Sequence, residues 1–229
     1  MNLRLLLDIF FPPQCVRCGC ALKEDDAICA HCLGTIALHD ALFCGKCSAR
    51  LPEGTRVCHA GFPYLLGSAG DYQNDALKSL ILGLKFEHVT SAAKPLGDLL
   101  VRYAELLPVV LRGRIVIPIP LSARRERERG FNQAALIAER FADHFALSYS
   151  ADILSRPKHT APQSELGNFA RRRENVKGCF SVAEPWRVAG ARIILIDDVS
   201  TSGATFLEAA TALRKAGAKQ ILAFAAAKA

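Results

Sequence analysis

The densest chemistry in the chain lies in Arg192-Ile193-Ile194-Leu195-Ile196-Asp197-Asp198-Val199-Ser200-Thr201-Ser202-Gly203-Ala204-Thr205. Four apolar, mostly β-branched residues ahead of a carboxylate pair describe a strand buried on both faces, as a parallel sheet flanked by helices requires. Asp197 and Asp198 therefore stand at its C-terminal end, where open α/β sheets bind their ligands. The hydroxyls of Ser200, Thr201, Ser202 and Thr205 follow, and Gly203 lets the backbone turn tightly. A helix comes next, with unpaired N–H groups and a positive dipole end facing the turn. A phosphate fits such a site. No Lys follows the glycine, which excludes a Walker P-loop, and the absence of G-x-G-x-x-G here excludes a dinucleotide fingerprint. A junction that only started a helix would need one capping hydroxyl and no acid pair.

A second constellation sits near the N-terminus. Cys15-x-x-Cys18 and Cys29-x-x-Cys32 are two knuckles that each aim two thiolates at one point, and together they describe a closed tetrahedral Zn²⁺ site with a structural role. So short a segment cannot bury enough apolar surface alone, so metal binding there supplies folding energy. Cys44-x-x-Cys47 and Cys58 form an incomplete second set, because Gly61 stands where a matching pair would place its last thiol. Cys20, His31, His39 or His59 could complete it, but a decayed or weak second zinc site is the expectation, since structural zinc is almost always four-coordinate. Eight of the nine cysteines precede residue 60. In a chain that otherwise reads as an intracellular enzyme, this crowding favours metal over disulfides.

The length of 229 residues suits one ordinary domain plus a small module, and 51% hydrophobic residues allow a sizeable core. The expected division is 1–61, an N-terminal helix with the cysteine module, and 62–229, an α/β domain whose core is separate from the module. Leu3 to Phe11 is far short of the roughly 20 residues of a membrane span and lacks a cleavage site, which predicts no stable membrane insertion and a cytoplasmic protein. Leu3, Leu6, Leu7 and Phe10 instead recur at helical spacing and end at Pro12-Pro13. The net charge of +7 arises mostly in residues 122–130 and 156–177, which points to a polyanionic partner.

The elements that must position these groups follow from periodicity. Residues 65–72 read as a strand, followed by a helix with Ala76, Leu77, Leu80, Ile81 and Leu84 on one face and Lys85 at its end. Residues 94–111 read as a helix, 114–120 as a buried strand whose prolines confine it to an edge or a strand end, and 133–145 as another helix. Arg124-Arg125-Glu126-Arg127-Glu128-Arg129-Gly130 reads as a charged loop opening on the same crevice as the turn, so its guanidiniums could meet a diphosphate. Residues before Leu166 carry two prolines and many charges and read as an exposed, mobile loop, Cys179–Val182 as a short strand and Ile221–Phe224 as the last strand.

The acid pair and Thr201-Ser202-Gly203-Ala204-Thr205 resemble the phosphoribosyl diphosphate (PRPP) signature of type I phosphoribosyltransferases, with Ser202 where Thr is usual. With Leu6-Leu7-Asp8-Ile9-Phe10-Phe11-Pro12-Pro13, the paired cysteines, Arg129-Gly130-Phe131-Asn132-Gln133, Thr160-x-x-Gln163 and Arg173-x-Asn175, the whole chain is similar to the ComF/GntX family. The resemblance implies a zinc-ribbon module, double in the fuller pattern, fused to a type I phosphoribosyltransferase-like parallel sheet flanked by helices. It implies PRPP on Asp197 to Thr205 with Mg²⁺ beside the acids, and a link to DNA uptake in natural competence or to the use of DNA-derived nucleotides; Arg129, Lys85 or both would then face the diphosphate. A different class of function is a non-enzymatic factor that retains the fold and holds single-stranded DNA phosphates with the same arginines, or docks on the uptake machinery.

Overall fold

The structure is a computed structural model that describes residues 13–22, 26–51, 58–59, 61–157 and 178–229. The N-terminal stripe and the basic stretch 158–177, with Thr160, Gln163, Arg173 and Asn175, lie outside the described residues. In chain order the elements are α1 (Ala30–Gly34), β1 (Leu42–Cys44), β2 (Arg50–Leu51), β3 (Leu65–Asp71), α2 (Asp75–Phe86), α3 (Ala93–Glu105), β4 (Arg114–Pro118), α4 (Ala123–Arg129), α5 (Gln133–His144), β5 (Ser148–Tyr149), β6 (Leu154–Ser155), β7 (Ser181–Val182), β8 (Arg192–Ser200), α6 (Ala204–Lys215) and β9 (Gln220–Lys228).

One sheet in the order β2-β1-β3-β9-β8-β4-β5 organises them. The five strands from β3 to β5 run parallel, while β1 and β2 are antiparallel additions at the edge. β8 lies between β9 and β4, and Ile193, Ile194, Leu195 and Ile196 are all fully buried. Alternation along the strand divides them. Ile194 and Ile196 join Leu80, Leu84, Leu96, Ile137 and Phe141 on one face, whereas Ile193 and Leu195 pack with Phe206, Ala210 and Leu213 of α6 on the other. The α/β class with helices on both faces is as the residue pattern predicts.

Three differences have physical causes. The charged stretch after β4 is a helix, α4, and not a loop: Arg124 and Glu128 pair at 2.7 Å one turn apart, and Gly130, at φ +80°, closes the helix by donating its N–H to Glu126 O. The strand expected over 221–224 runs from 220 to 228, because Ala225, Ala226 and Ala227 are held between β3 and β8 despite the low strand preference of alanine. The helix expected over 94–111 stops at Glu105, ahead of Pro108.

The cysteine module and the α/β core are continuous. β1 pairs with β3, and Cys15, Cys32 and Cys44 share one apolar cluster with Ile194 and Ile196, where the sequence reading expects separate cores. Asn74 caps α2 with its side-chain oxygen and donates to Thr35 O, and Arg17 pairs with Asp75 at 2.7 Å. Tyr103 of α3 is fully buried and donates to the buried Ala41 O at 2.7 Å, directly fastening the module to the core. Tyr103→Phe leaves that carbonyl without its donor and should lower unfolding stability by roughly 1–3 kcal/mol, read by urea denaturation.

Candidate functional site: an acid pair beneath a hydroxyl turn

Adjacent residues of a strand face opposite ways, so Asp198 points to the α2 side of the sheet and Asp197 to the α6 side. Asp198 is only 3% exposed and receives the Lys85 ammonium on Oδ1 at 2.8 Å. Its Oδ2 is buried with no hydrogen-bond partner among the described residues. A buried carboxylate oxygen without a donor is costly, which makes it a ready acceptor or cation ligand. Asp197 is half-buried, and its Oδ1 accepts the Asp198 N–H at 2.9 Å. Burial and the neighbouring Asp198 push the Asp197 carboxyl up to about 7, against the opposing pull of Lys85, that N–H and Arg156.

Two guanidiniums act electrostatically on the pair. Arg129, at the end of α4, donates to Gln133 Oε1 and lies 5.8 Å over the Phe86 ring. Burial lowers its pKa, while Asp198 and Asp197 act in the opposite sense, so the group sits within electrostatic reach of both acids. Arg156 is nearly buried, 5.4 Å over the Phe180 ring, and acts on Asp197. The sequence reading selected Lys85 and Arg129 and did not select Arg156. Its only mark in the sequence is a basic residue ahead of Pro157.

The turn follows directly. Ser200 is buried at the end of β8, Thr201 is exposed, and Ser202, Gly203 and Thr205 are half-buried. Val199 packs against the α2-side core and Ala204 is buried at the first turn of α6. Gly203 occupies the N-cap position at φ +70°, and Ser202 Oγ accepts the Ala204 N–H at 3.4 Å. The resulting concavity presents small hydroxyls and the first amides of a twelve-residue helix, a fit for an anion.

Both cysteine sets form compact donor clusters. The sulfurs of Cys15, Cys18, Cys29 and Cys32 lie within 4.8 Å of one another, and so do the donor atoms of Cys44, Cys47, Cys58 and His59. Four sulfurs tetrahedral about zinc, at bonds of roughly 2.3 Å, stand about 3.8 Å apart. Cys18 and Cys29 are at 3.8 Å, Cys47 and Cys58 at 3.5 Å, and Cys44 Sγ and His59 Nδ1 at 3.4 Å, so both sets fit the ion. Burial raises the Cys15 thiol, but N–H groups of Cys29, Cys18 and Arg17 outweigh it and bring it to about 6, favouring the ligating thiolate. The second set, expected to be one ligand short, is a complete cluster of four donors in the structure, with His59 as the fourth. Sequence spacing left Cys20, His31, His39 and His59 as alternatives because the ligand follows Cys58 directly and completes no second C-x-x-C.

Comparison with known proteins agrees with the paired cysteine clusters. Residues 6–61 match the model of the double zinc ribbon domain. DNA utilization protein YhgH of Salmonella typhi is 31% identical, over 90% of this chain and 86% of that protein. Competence protein F of Haemophilus influenzae is 29% identical over 93% and 95%, and competence protein ComFC of Bacillus subtilis 30% over 86% and 81%. Among solved structures, glutamine phosphoribosylpyrophosphate (PRPP) amidotransferase from B. subtilis is similar at 21% identity and a TM-score of 0.39, over 59% of this chain. The match spans about a quarter of that enzyme, 26%.

Metal analysis should find two zinc ions per chain, with one lost in His59→Ala and in Cys44→Ser and the other lost in Cys15→Ser. Full retention of zinc by His59→Ala would remove it as a ligand. Asp197 adds a pH signature. An unfolded carboxyl ionises near 3.8, whereas Asp197 in the fold holds its proton to about 7. Stability should therefore fall as pH rises between these values and level off above about 7, and Asp197→Asn should flatten that part of the profile in denaturation midpoints.

Proposed function

The chain belongs to the ComF family of competence and DNA-utilization proteins, and from that premise we propose that it binds PRPP with Mg²⁺ at the acid pair and hydroxyl turn. The observation that carries this reading is Asp198, a buried carboxylate with one oxygen unpartnered among the described residues, two residues before an anion-fitting turn. Ser200 to Thr205 take the 5′-phosphate through hydroxyls and the first amides of α6. Asp197 and Asp198, reaching from opposite faces of β8, take the ribose hydroxyls and are the residues that would hold Mg²⁺, whose oxygen preference they satisfy. Magnesium supplies charge neutralisation of the diphosphate when bound.

Lys85 and Arg129 complete the site on the diphosphate side. Lys85 neutralises Asp198 at 2.8 Å and Arg129 stands within the field of both acids, so diphosphate competes with the carboxylates for both cations. That arrangement favours departure of diphosphate from an anomeric carbon held in place, because fixed positive groups stabilise the charge that develops on the leaving group. In the biology named by the relatives, a protein of this kind would serve the use of nucleotides derived from DNA.

Calorimetric titration of the zinc-loaded protein should show PRPP uptake with Mg²⁺ and little without it. The double variant Asp197→Asn, Asp198→Asn should lose it, and Arg129→Ala should weaken it by about tenfold, the scale of one charge-assisted contact. No heat and no displacement by diphosphate in the wild type would sink the reading.

A further inference from the structure

Tyr64 stands between the second cysteine cluster and the hydroxyl turn. It precedes β3, is 4% exposed, and its ring lies 5.2 Å from Phe62 and 6.0 Å from Phe206 of α6. Its hydroxyl oxygen is 3.4 Å from Gly45 O and 3.3 Å from Gly203 O. Gly45 belongs to the Cys44-Gly45-Lys46-Cys47 knuckle and Gly203 to the turn. One O–H donates to one carbonyl at a time or shares between them, and both distances are long for such a bond. The hydroxyl oxygen, and not the ring, is the part of Tyr64 that reaches Gly203.

The glycines show how close it is. A methyl group on Gly203 would come within 2.7 Å of the Tyr64 hydroxyl and 3.9 Å of Gly45 O. One on Gly45 would meet Phe62 at 2.7 Å and the Tyr64 ring at 2.8 and 2.9 Å. Two loops, each with a glycine that admits no side chain here, close on the same phenol from two sides. Gly203 must also be glycine for its φ of +70°, and its carbonyl accepts the Leu207 N–H that opens α6. The phenol therefore bears on the residue that sets the direction of the turn's amides.

We propose that Tyr64 is a positioning residue through which metal at Cys44, Cys47, Cys58 and His59 holds the hydroxyl turn in its anion-binding shape. The metal fixes the knuckle, the knuckle fixes the phenol, and the phenol backs Gly203. The coupling is reciprocal, so an anion in the turn also retains the metal. Its consequence for PRPP rests on the function proposed above, but the coupling itself can be read without any ligand.

The test is hydrogen exchange of the full-length protein across residues 200–207, with zinc content measured on the same samples. His59→Ala, lacking the second zinc, should exchange the turn amides faster, on the order of tenfold. Tyr64→Phe keeps the ring packing and both ligand sets and should show the same rise with two zinc ions bound, and removing the second zinc from it should add nothing. Cys15→Ser should leave the turn as in the wild type, and an equal rise there marks global loosening and overturns the proposal. Unchanged turn exchange in Tyr64→Phe overturns it even where His59→Ala fails to fold. Titration with PRPP and Mg²⁺ separates the two readings. A turn loosened as expected in a protein whose wild type takes up no PRPP sinks the PRPP reading alone. Equal PRPP affinity and equal exchange in wild type and Tyr64→Phe sink the coupling.

Discussion

The carboxylate of Asp198 is the constraint around which this molecule is built. Removing an ionised carboxyl from water costs several kcal/mol unless a partner of opposite charge meets it, and here the side chain meets Lys85, the penultimate residue of α2. The position of α2 is therefore part of the site. Its first turn is held by Asn74, which caps the helix and reaches Thr35, and by the Arg17–Asp75 pair, while Val16 closes over Gly83 further along. All three contacts come from the first cysteine module, which thus sets the helix that brings the ammonium to the acid.

The second cluster approaches from another direction. Its strand β1 extends the sheet beside β3, and its knuckle meets the turn at Tyr64. The two donor sets thus support different halves of one crevice: the first bears on the acid pair through α2 and Lys85, the second on the turn through a phenol. Zinc in either set would hold short, loop-rich segments to a tolerance that loops alone do not reach.

How far the sequence could be read depended on the kind of signal. β8, the acid pair, the turn and α6 were legible because a run of buried β-branched residues, two carboxylates and a hydroxyl cluster each have a local physical meaning. α4 was not, because Arg124 to Arg129 have no apolar period and their helix rests on charge pairing and the Gly130 cap. The alanines of β9 were silent for the opposite reason, being strand residues by tertiary demand alone. His59 stayed one candidate of four because it completes no C-x-x-C, and Arg156 and Tyr64 escaped because burial of a single polar side chain leaves no periodic trace. Arg129 was legible as a basic residue after a buried strand and Lys85 as the cation closing an amphipathic helix, and the structure pairs Lys85 with Asp198.

The opening between these parts follows from where strand pairing ends. β4 pairs with β8 from Arg114 opposite Arg192 to Pro118 opposite Ile196, and Ile119 donates one more bond to Ile196 O. Pro118 and Pro120 have no N–H, so the ladder cannot continue on regular terms. On the other side β9 stays paired as far as Ser200 opposite Lys228. From Asp197 onward β8 therefore has a neighbour on one edge only, while the chain leaving β4 turns into α4 and returns Arg129 toward the vacated edge. Two prolines thus open the sheet beside two acids, and alternation along β8 sends those acids to opposite faces of the gap. A ligand with a sugar ring between two phosphate-bearing ends matches that division. In the binding mode proposed above, the ring would meet both acids at the open edge, one anionic end the turn before α6, and the other Lys85 and Arg129.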